Sequence, residues 1–190
     1  MVLTNKGHVW AMGSNKSGEL GIGKKYDDQG APVFLKELSF AKIIEIRSGS
    51  FTAALSTENQ LYVWGRGVFG DFHTPHRVKS FKNHLISDFQ ISNFGFAIVL
   101  TKLGAVYSWG SNNYGQLGLS DQEIREKPQK VALLENKKVE QISVGGGFVI
   151  ALGQTEKLQN EIPKQASKSS ISGASSDVNL KQNSSYYSTE

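Results

Sequence analysis

The sequence predicts an all-β chain that holds about three four-stranded blades of a propeller. Three observations carry this expectation: a Gly-rich motif that recurs, an aromatic landmark at matching distances from it, and short strand-like runs that fall four to a repeat. HVWAMGSNKSGELGIG (8–23) and YSWGSNNYGQLGLS (107–120) share G-S-N-x-x-G-x-L-G when aligned on Gly13 and Gly110. A third copy, LYVWGRGVFGDF (61–72), aligns on Gly65 and lacks the Leu-Gly pair. The signature residues are Gly13, Asn15, Gly18, Leu20 and Gly21 in the first copy and Trp64 and Gly65 in the second. In the third they are Trp109, Gly110, Asn112, Gly115, Leu117 and Gly118. Phe51 precedes Gly65 by 14 residues, and Phe96 precedes Gly110 by the same 14. The distances from glycine to the next phenylalanine are 38 (Gly13–Phe51), 31 (Gly65–Phe96) and 38 (Gly110–Phe148). The middle unit is therefore shorter by 7 residues, and the loss follows the decayed turn.

Each element follows from composition. HVWAMG gives an outer strand at the start. PVFL (32–35), KIIEIRS (42–48), FTAALS (51–56) and QLYVWG (60–65) form a first set of four, rich in β-branched and aromatic residues. A second set of four runs through FAIVL and AVYSWG, and QKV, VEQISV and FVIAL add a last three, for 12 strands in all. SGS and VGGG read as tight turns, and STENQ and TKLG as hairpin connections. Only DQEIREK (121–127) looks helical. FTAALS, FAIVL and FVIAL are continuously apolar, as inner strands packed on both faces would be, and the Trp/Tyr strands beside them suit the wedges between blades. The glycines are expected to turn the chain from blade to blade, Asn15 and Asn112 to adopt left-handed backbone, and Leu20 and Leu117 to anchor the crossover. Three blades fall short of a closed ring and leave sheet edges open. The chain is therefore expected to be a fragment, a truncated product, or a propeller completed by further blades or a second chain.

The repeats span 1–152, and a Ser-rich segment, 153–190, follows with nine serines in 38 residues and no apolar periodicity. Its composition predicts a disordered tail, either passive or phosphorylated at Ser169, Ser170 or Ser176. Apolar residues make up 38% of the chain, and no run is long enough to cross a bilayer. The absence of cysteine removes disulfides and thiolate metal sites. With no signal-peptide layout at the start, the expected location is intracellular, cytoplasmic or nuclear. The net charge of +4 arises within the repeats but is dispersed; the pairs Lys24–Lys25 and Lys137–Lys138 are short, so nucleic acid is a weak partner.

No chemistry is legible. A phosphate loop of the G-x-x-x-x-G-K-[ST] type would need Lys and Ser/Thr where Gln116 and Leu117 stand, and Glu19 occupies the Lys place in the first copy. No helix follows to support a dinucleotide loop. His73 and His76 in HTPH lack further ligands at a recognisable spacing, with Asp71 and His84 considered, and read as a surface loop. Glu45, Asp71 and Asp88 form no evident carboxylate pair. No catalytic, metal or cofactor residues are therefore assigned, and the chain is expected not to be an enzyme.

GAVYSWGSNNYGQLGL (104–119), VEQISVGGGFVIAL (139–152) and, less fully, GHVWAMGSNKSGELGIG resemble repeats of the regulator of chromosome condensation family over about residues 1–152. The sequence departs from the family pattern in three ways. Phe51, Phe96 and Phe148 stand where His is usual, Met12 replaces a Trp, and the Gly65 copy lacks Gln-Leu-Gly. The resemblance implies a seven-bladed propeller in complete members. It also implies either guanine-nucleotide exchange on the small GTPase Ran together with chromatin docking, or a binding platform joined to other domains. Exchange in the family depends on loops and a wedge on one propeller face, and no residues here match such a wedge. The leading expectation is a non-enzymatic protein–protein interaction module within, or completed by, a larger propeller. One alternative is an exchange factor or regulator of a Ran-like small GTPase; another is chromatin or membrane-surface binding through basic loops.

Overall fold

A computed structural model describes residues 1–23 and 27–154, and the Ser-rich segment from 155 onward lies outside the described residues. The described residues contain thirteen strands in four antiparallel sheets. The first sheet has β1 (Val2–Leu3), β2 (Val9–Gly13) and β3 (Gln29–Phe34). The second has β4 (Ile43–Ser48), β5 (Thr52–Ser56), β6 (Leu61–Gly67) and β7 (Gly70–Arg77) in sequence order. The third has β8 (Ile86–Ile91), β9 (Phe96–Thr101), β10 (Val106–Gly110) and β11 (Arg125–Lys130), again in sequence order. β12 (Val139–Val144) pairs with β13 (Val149–Gly153) in the last.

Each of the twelve expected strands has its counterpart, and β1 is the addition. Its identity follows from sequence: MVLTNKGHVWAMG matches IVLTKLGAVYSWG (98–110) position for position around the turn. Thr4 Oγ1 accepts from His8 N at 3.1 Å, as Thr101 Oγ1 accepts from Ala105 N at 3.1 Å. β1 is thus the end of an inner strand of the first blade. The grouping expected from sequence shifts by one strand. PVFL is expected to open the first set of four, but β3 pairs with β2 and closes the first blade. Blade boundaries fall instead at the 3₁₀ turns Lys36–Leu38, Lys79–Phe81 and Ala132–Leu134, the first two of which bury Leu38 and Phe81.

The core lies in the wedges between blades, which explains the continuous apolar inner strands. Along β5, Ala53 and Leu55 face the third blade while Ala54 faces the first. Along β9, Ala97 and Val99 face the second blade while Ile98 and Leu100 face β12. Because successive strand residues point to opposite faces, a strand buried on both sides must be apolar at every position. β13 breaks the pattern: it is as apolar as β5 and β9, yet Ile150 and Leu152 are 62% and 58% exposed.

DQEIREK is not helical. Asp121–Ile124 is irregular and Arg125 begins β11, which pairs with β10. Pro128 cannot sit inside a helix, and the free edge of β10 supplies ladder partners instead. Pro32, Pro75 and Pro128 each fall in the outermost strand of a blade beside a bulge, where a missing N–H costs no ladder bond.

Candidate interaction surface

The Gly-rich crossovers are built from buried side chains, not from left-handed asparagines. Asn15 and Asn112 are fully buried, and neither has positive φ. Asn15 Oδ1 accepts from Leu20 N at 3.0 Å, and Asn112 Oδ1 accepts from Leu117 N at 3.0 Å. Asn112 Nδ2 also donates to the Asp121 carbonyl at 2.9 Å, so one side chain staples both ends of the loop. The expectation of left-handed asparagine is corrected: the amide is needed as a buried acceptor. The left-handed positions are taken by Gly13, Gly18, Gly21, Gly65, Gly110, Gly115 and Gly118.

The loop amides are spent within the loops. Gly18 N donates to Asn15 O and Gly21 N to Gly18 O, and the same pair of bonds recurs at Gly115 and Gly118. Glu19 Oε2 accepts from Ser17 N at 2.7 Å, and Gln116 Oε1 does the same for Tyr114 N at 2.9 Å. Carboxylate and amide are interchangeable here because only an acceptor is required. A phosphate would find few free N–H groups on either loop.

The first crossover is also hung on the next blade. Trp64 Nε1 donates to the Glu19 carbonyl at 2.9 Å, and Thr52 Oγ1 donates to the same oxygen at 3.1 Å. Gly21 lies so close that a Cβ there would meet Trp64 Nε1 at 2.7 Å. Leu20 and Leu117 are 4% and 1% exposed. In the second blade the crossover shrinks to a tight hairpin, Gly67 pairing with Gly70 across Val68–Phe69. Phe69 there sets its ring edge against Phe51 at 4.6 Å and stacks near Phe72 at 5.8 Å.

HTPH is not a surface loop but part of β7. Residues three apart on a strand point to opposite faces, so His73 and His76 diverge. His73 abuts Gly18 of the first crossover and lies 3.8 Å from Asp71, while His76 stacks on Phe72 at 4.3 Å. His84 Nε2 meets the Tyr107 hydroxyl at 3.0 Å. Sequence reasoning missed this histidine's partner because the contact joins different elements. Arg47 pairs with Glu45 at 2.5 Å and approaches Asp88 at 3.8 Å across β4 and β8, so these acids serve an ion-pair network. Lys137 and Lys138 sit in the turn before β12; Lys24 and Lys25 are not among the described residues.

What the described residues offer to a partner is apolar. Around β13, Phe148, Ile150 and Leu152 are all more than half exposed, beside Leu133 at 71% and Tyr114 at 69%. Phe148, Leu133 and Tyr114, with Leu117, Val131 and Leu134, bound a hollow of about 510 Å³ that Val149 and Ala151 of β13 also line, while Ile150 and Leu152 lie on the strand's other face. At the opposite end Val2, Trp10 and Met12 are exposed at 46%, 38% and 38%. Apolar clusters of this kind mark interaction surfaces.

Against known families, the regulator of chromosome condensation (RCC1) repeat matches residues 6–55 and 104–152. The chain belongs to this repeat family. The two matched stretches flank the middle unit, whose crossover has become a hairpin. Human "Probable E3 ubiquitin-protein ligase HERC6" is 30% identical over 83% of this chain and 17% of its own length. Human "E3 ubiquitin-protein ligase HERC2" is 27% identical over 87% of the chain and 4% of its own length. "Ultraviolet-B receptor UVR8" of Arabidopsis thaliana is 31% identical over 83% of the chain and 38% of its own length. The chain thus spans well under half of each relative. Among solved structures, human WBSCR16 superposes with TM-score 0.70 at 18% identity, covering 80% of this chain and 42% of its own. Prp20p from Saccharomyces cerevisiae superposes with TM-score 0.66 at 23% identity, covering 81% and 41%.

These relatives correct the expectation that the protein is not an enzyme. Several are ligases by name, and they share with this chain only the repeat segment. A repeat segment taken alone therefore says nothing against enzymatic activity. Among the described residues, no helix is long and apolar enough to cross a membrane.

Proposed function

We propose that the chain is a protein–protein interaction segment of an RCC1-type propeller, completed by further blades or by a second chain. One observation carries this reading: β13 has inner-strand composition but exposes Ile150 and Leu152, where β5 and β9 are buried throughout. An inner strand left bare calls for sheet or blade to cover it. The share of about 41–42% that the chain covers in the solved relatives supports the same view. Protein binding in general is supported by the relatives, among them Prp20p with its binding properties to Gsp1p and histones. Regulation of a small GTPase would be promoted by stimulated nucleotide release from a GTPase panel; no residue described here favours it.

Light scattering on the 190-residue chain tests the reading. Self-association is expected, and Ile150→Asp with Leu152→Asp should shift the population toward monomer. A monodisperse wild-type monomer that unfolds cooperatively would overturn it.

A further inference from the structure

The missing crossover of the second blade leaves a cleft of about 460 Å³ between the second and third blades, and Trp109 forms part of its wall. Trp109 stands where Trp64 stands one blade earlier. Each precedes the landmark glycine, and each faces the wedge toward the preceding blade. Their surroundings differ. Trp64 Nε1 donates to the Glu19 carbonyl of the first crossover, and Thr52 reinforces that bond. Trp109 is 2% exposed and its indole N–H makes no hydrogen bond among the described residues, yet that nitrogen is not one of their fully buried unpaired polar atoms, so it keeps access to the cleft. Opposite Trp109 stands Ala97 in the place of Thr52, so the third blade offers one donor where the second offers two. A donor that opens on the cleft without a protein acceptor can take one brought from outside, and the apolar wall around it strengthens that bond.

We propose that this cleft binds a partner-protein peptide that stands in for the absent crossover. The first blade supplies the template. There a main-chain carbonyl (Glu19) meets the indole, and the next side chain (Leu20) is buried. The ligand therefore needs an exposed carbonyl for Trp109 and an adjacent leucine-like side chain for the apolar wall of Val63, Phe69 and Phe72. Arg77, Lys79 and Lys127 face Glu126 alone around the cleft, which favours an acidic residue beside that leucine. The volume lies within the range of about 300–1,000 Å³ usual for ligand pockets. The inference rests on the protein-interaction reading but not on the open edges, from which the cleft is separate.

The test uses the full chain with ¹⁵N-labelled indoles and a synthetic peptide, SGELGIG, copied from residues 17–23. The Trp109 resonance, assigned by its loss in Trp109→Phe, should shift saturably while those of Trp10 and Trp64 hold still. Affinity should fall at least tenfold in Trp109→Phe and with a peptide carrying alanine for leucine. Lys79→Glu with Lys127→Glu should weaken binding several-fold, and this exposed pair decides the matter if Trp109→Phe does not fold. No saturable shift, or affinity unchanged in the lysine variant or in a folded Trp109→Phe, overturns the proposal. Binding that moves Trp10 instead overturns it too. The mass by light scattering reports separately on ring completion, so either idea can fail alone.

Discussion

In the first and third blades, residues 14–28 and 111–124 carry the chain from the third strand to the outermost; in the second blade, Val68–Phe69 suffice. The long crossovers fill their wedge with polar brackets. Buried Asn15 and Asn112 tie each loop to itself, and the Glu19 carbonyl ties the first loop to Trp64. The short hairpin lines its wedge with rings, Phe69 on Phe51 and Phe72 on His76, and leaves the cleft open beside them. The same connection can thus be held by directional bonds or by aromatic packing, and only the former gives the tryptophan N–H an acceptor within the protein.

Substitutions at the landmark glycine should separate the blades most. In Gly110→Ala the new Cβ would lie 2.4 Å from the Gly95 carbonyl oxygen and 2.5 Å from Phe96 Cα, at φ +114°. Backbone on both sides must move, and a loss of about 3 kcal/mol or more is expected. Gly65→Ala meets Phe51 Cα only at 3.4 Å, and Gly13→Ala meets nothing within 4 Å. These should cost progressively less, down to the strain of positive φ alone, about 1–2 kcal/mol. Urea unfolding of the three variants gives the order, and equal losses would show that the copies are packed alike.

Next comes the bracket. Asn112→Ala strands the buried Leu117 N–H, for about 1–3 kcal/mol in the same assay. Asn15→Ala should match it if the two long crossovers are equivalent. The tryptophans give a smaller contrast. Trp64→Phe and Trp109→Phe remove similar volume, but only the first breaks a hydrogen bond, so it should cost about 1 kcal/mol more. Reversal of that order would mean that Trp109 has an acceptor after all.

The smallest effect concerns pH. Burial pushes the Tyr62 hydroxyl above its usual value of 10.0, against the lowering pull of Arg77. The folded state therefore holds this proton more tightly than the unfolded chain does. The associated stability is complete below pH 10 and falls as pH rises through the folded value. Alkaline unfolding monitored by circular dichroism should be shallower in Tyr62→Phe, which also loses the 2.6 Å bond to Gln60 Oε1.

Much of the fold was legible because repetition turns one pattern into several readings. Trp64, Gly65, Trp109 and Gly110 fixed the strand ends, and the shorter middle spacing located the hairpin. What misled were local propensities taken alone. DQEIREK has helix-forming residues, but β10 offered it a ladder. HTPH contains a turn-forming Pro, but that Pro sits in an outer strand beside a bulge. Asn15 and Asn112 suggested left-handed turns because their acceptor role joins residues five apart across a buried loop.

The sequence by itself determined twelve of the thirteen described strands, the repeat register and the place of the shortened turn, since these follow from periodicity and spacing along the chain. Only the tertiary structure decided which strand closes each blade, because PVFL could pair forward or back until β2 and β3 were seen side by side. It alone also decided that a carbonyl from one blade meets the indole of the next, and that Trp109 lacks such a carbonyl. Those are contacts between residues far apart in sequence, and spacing along a chain carries no record of them.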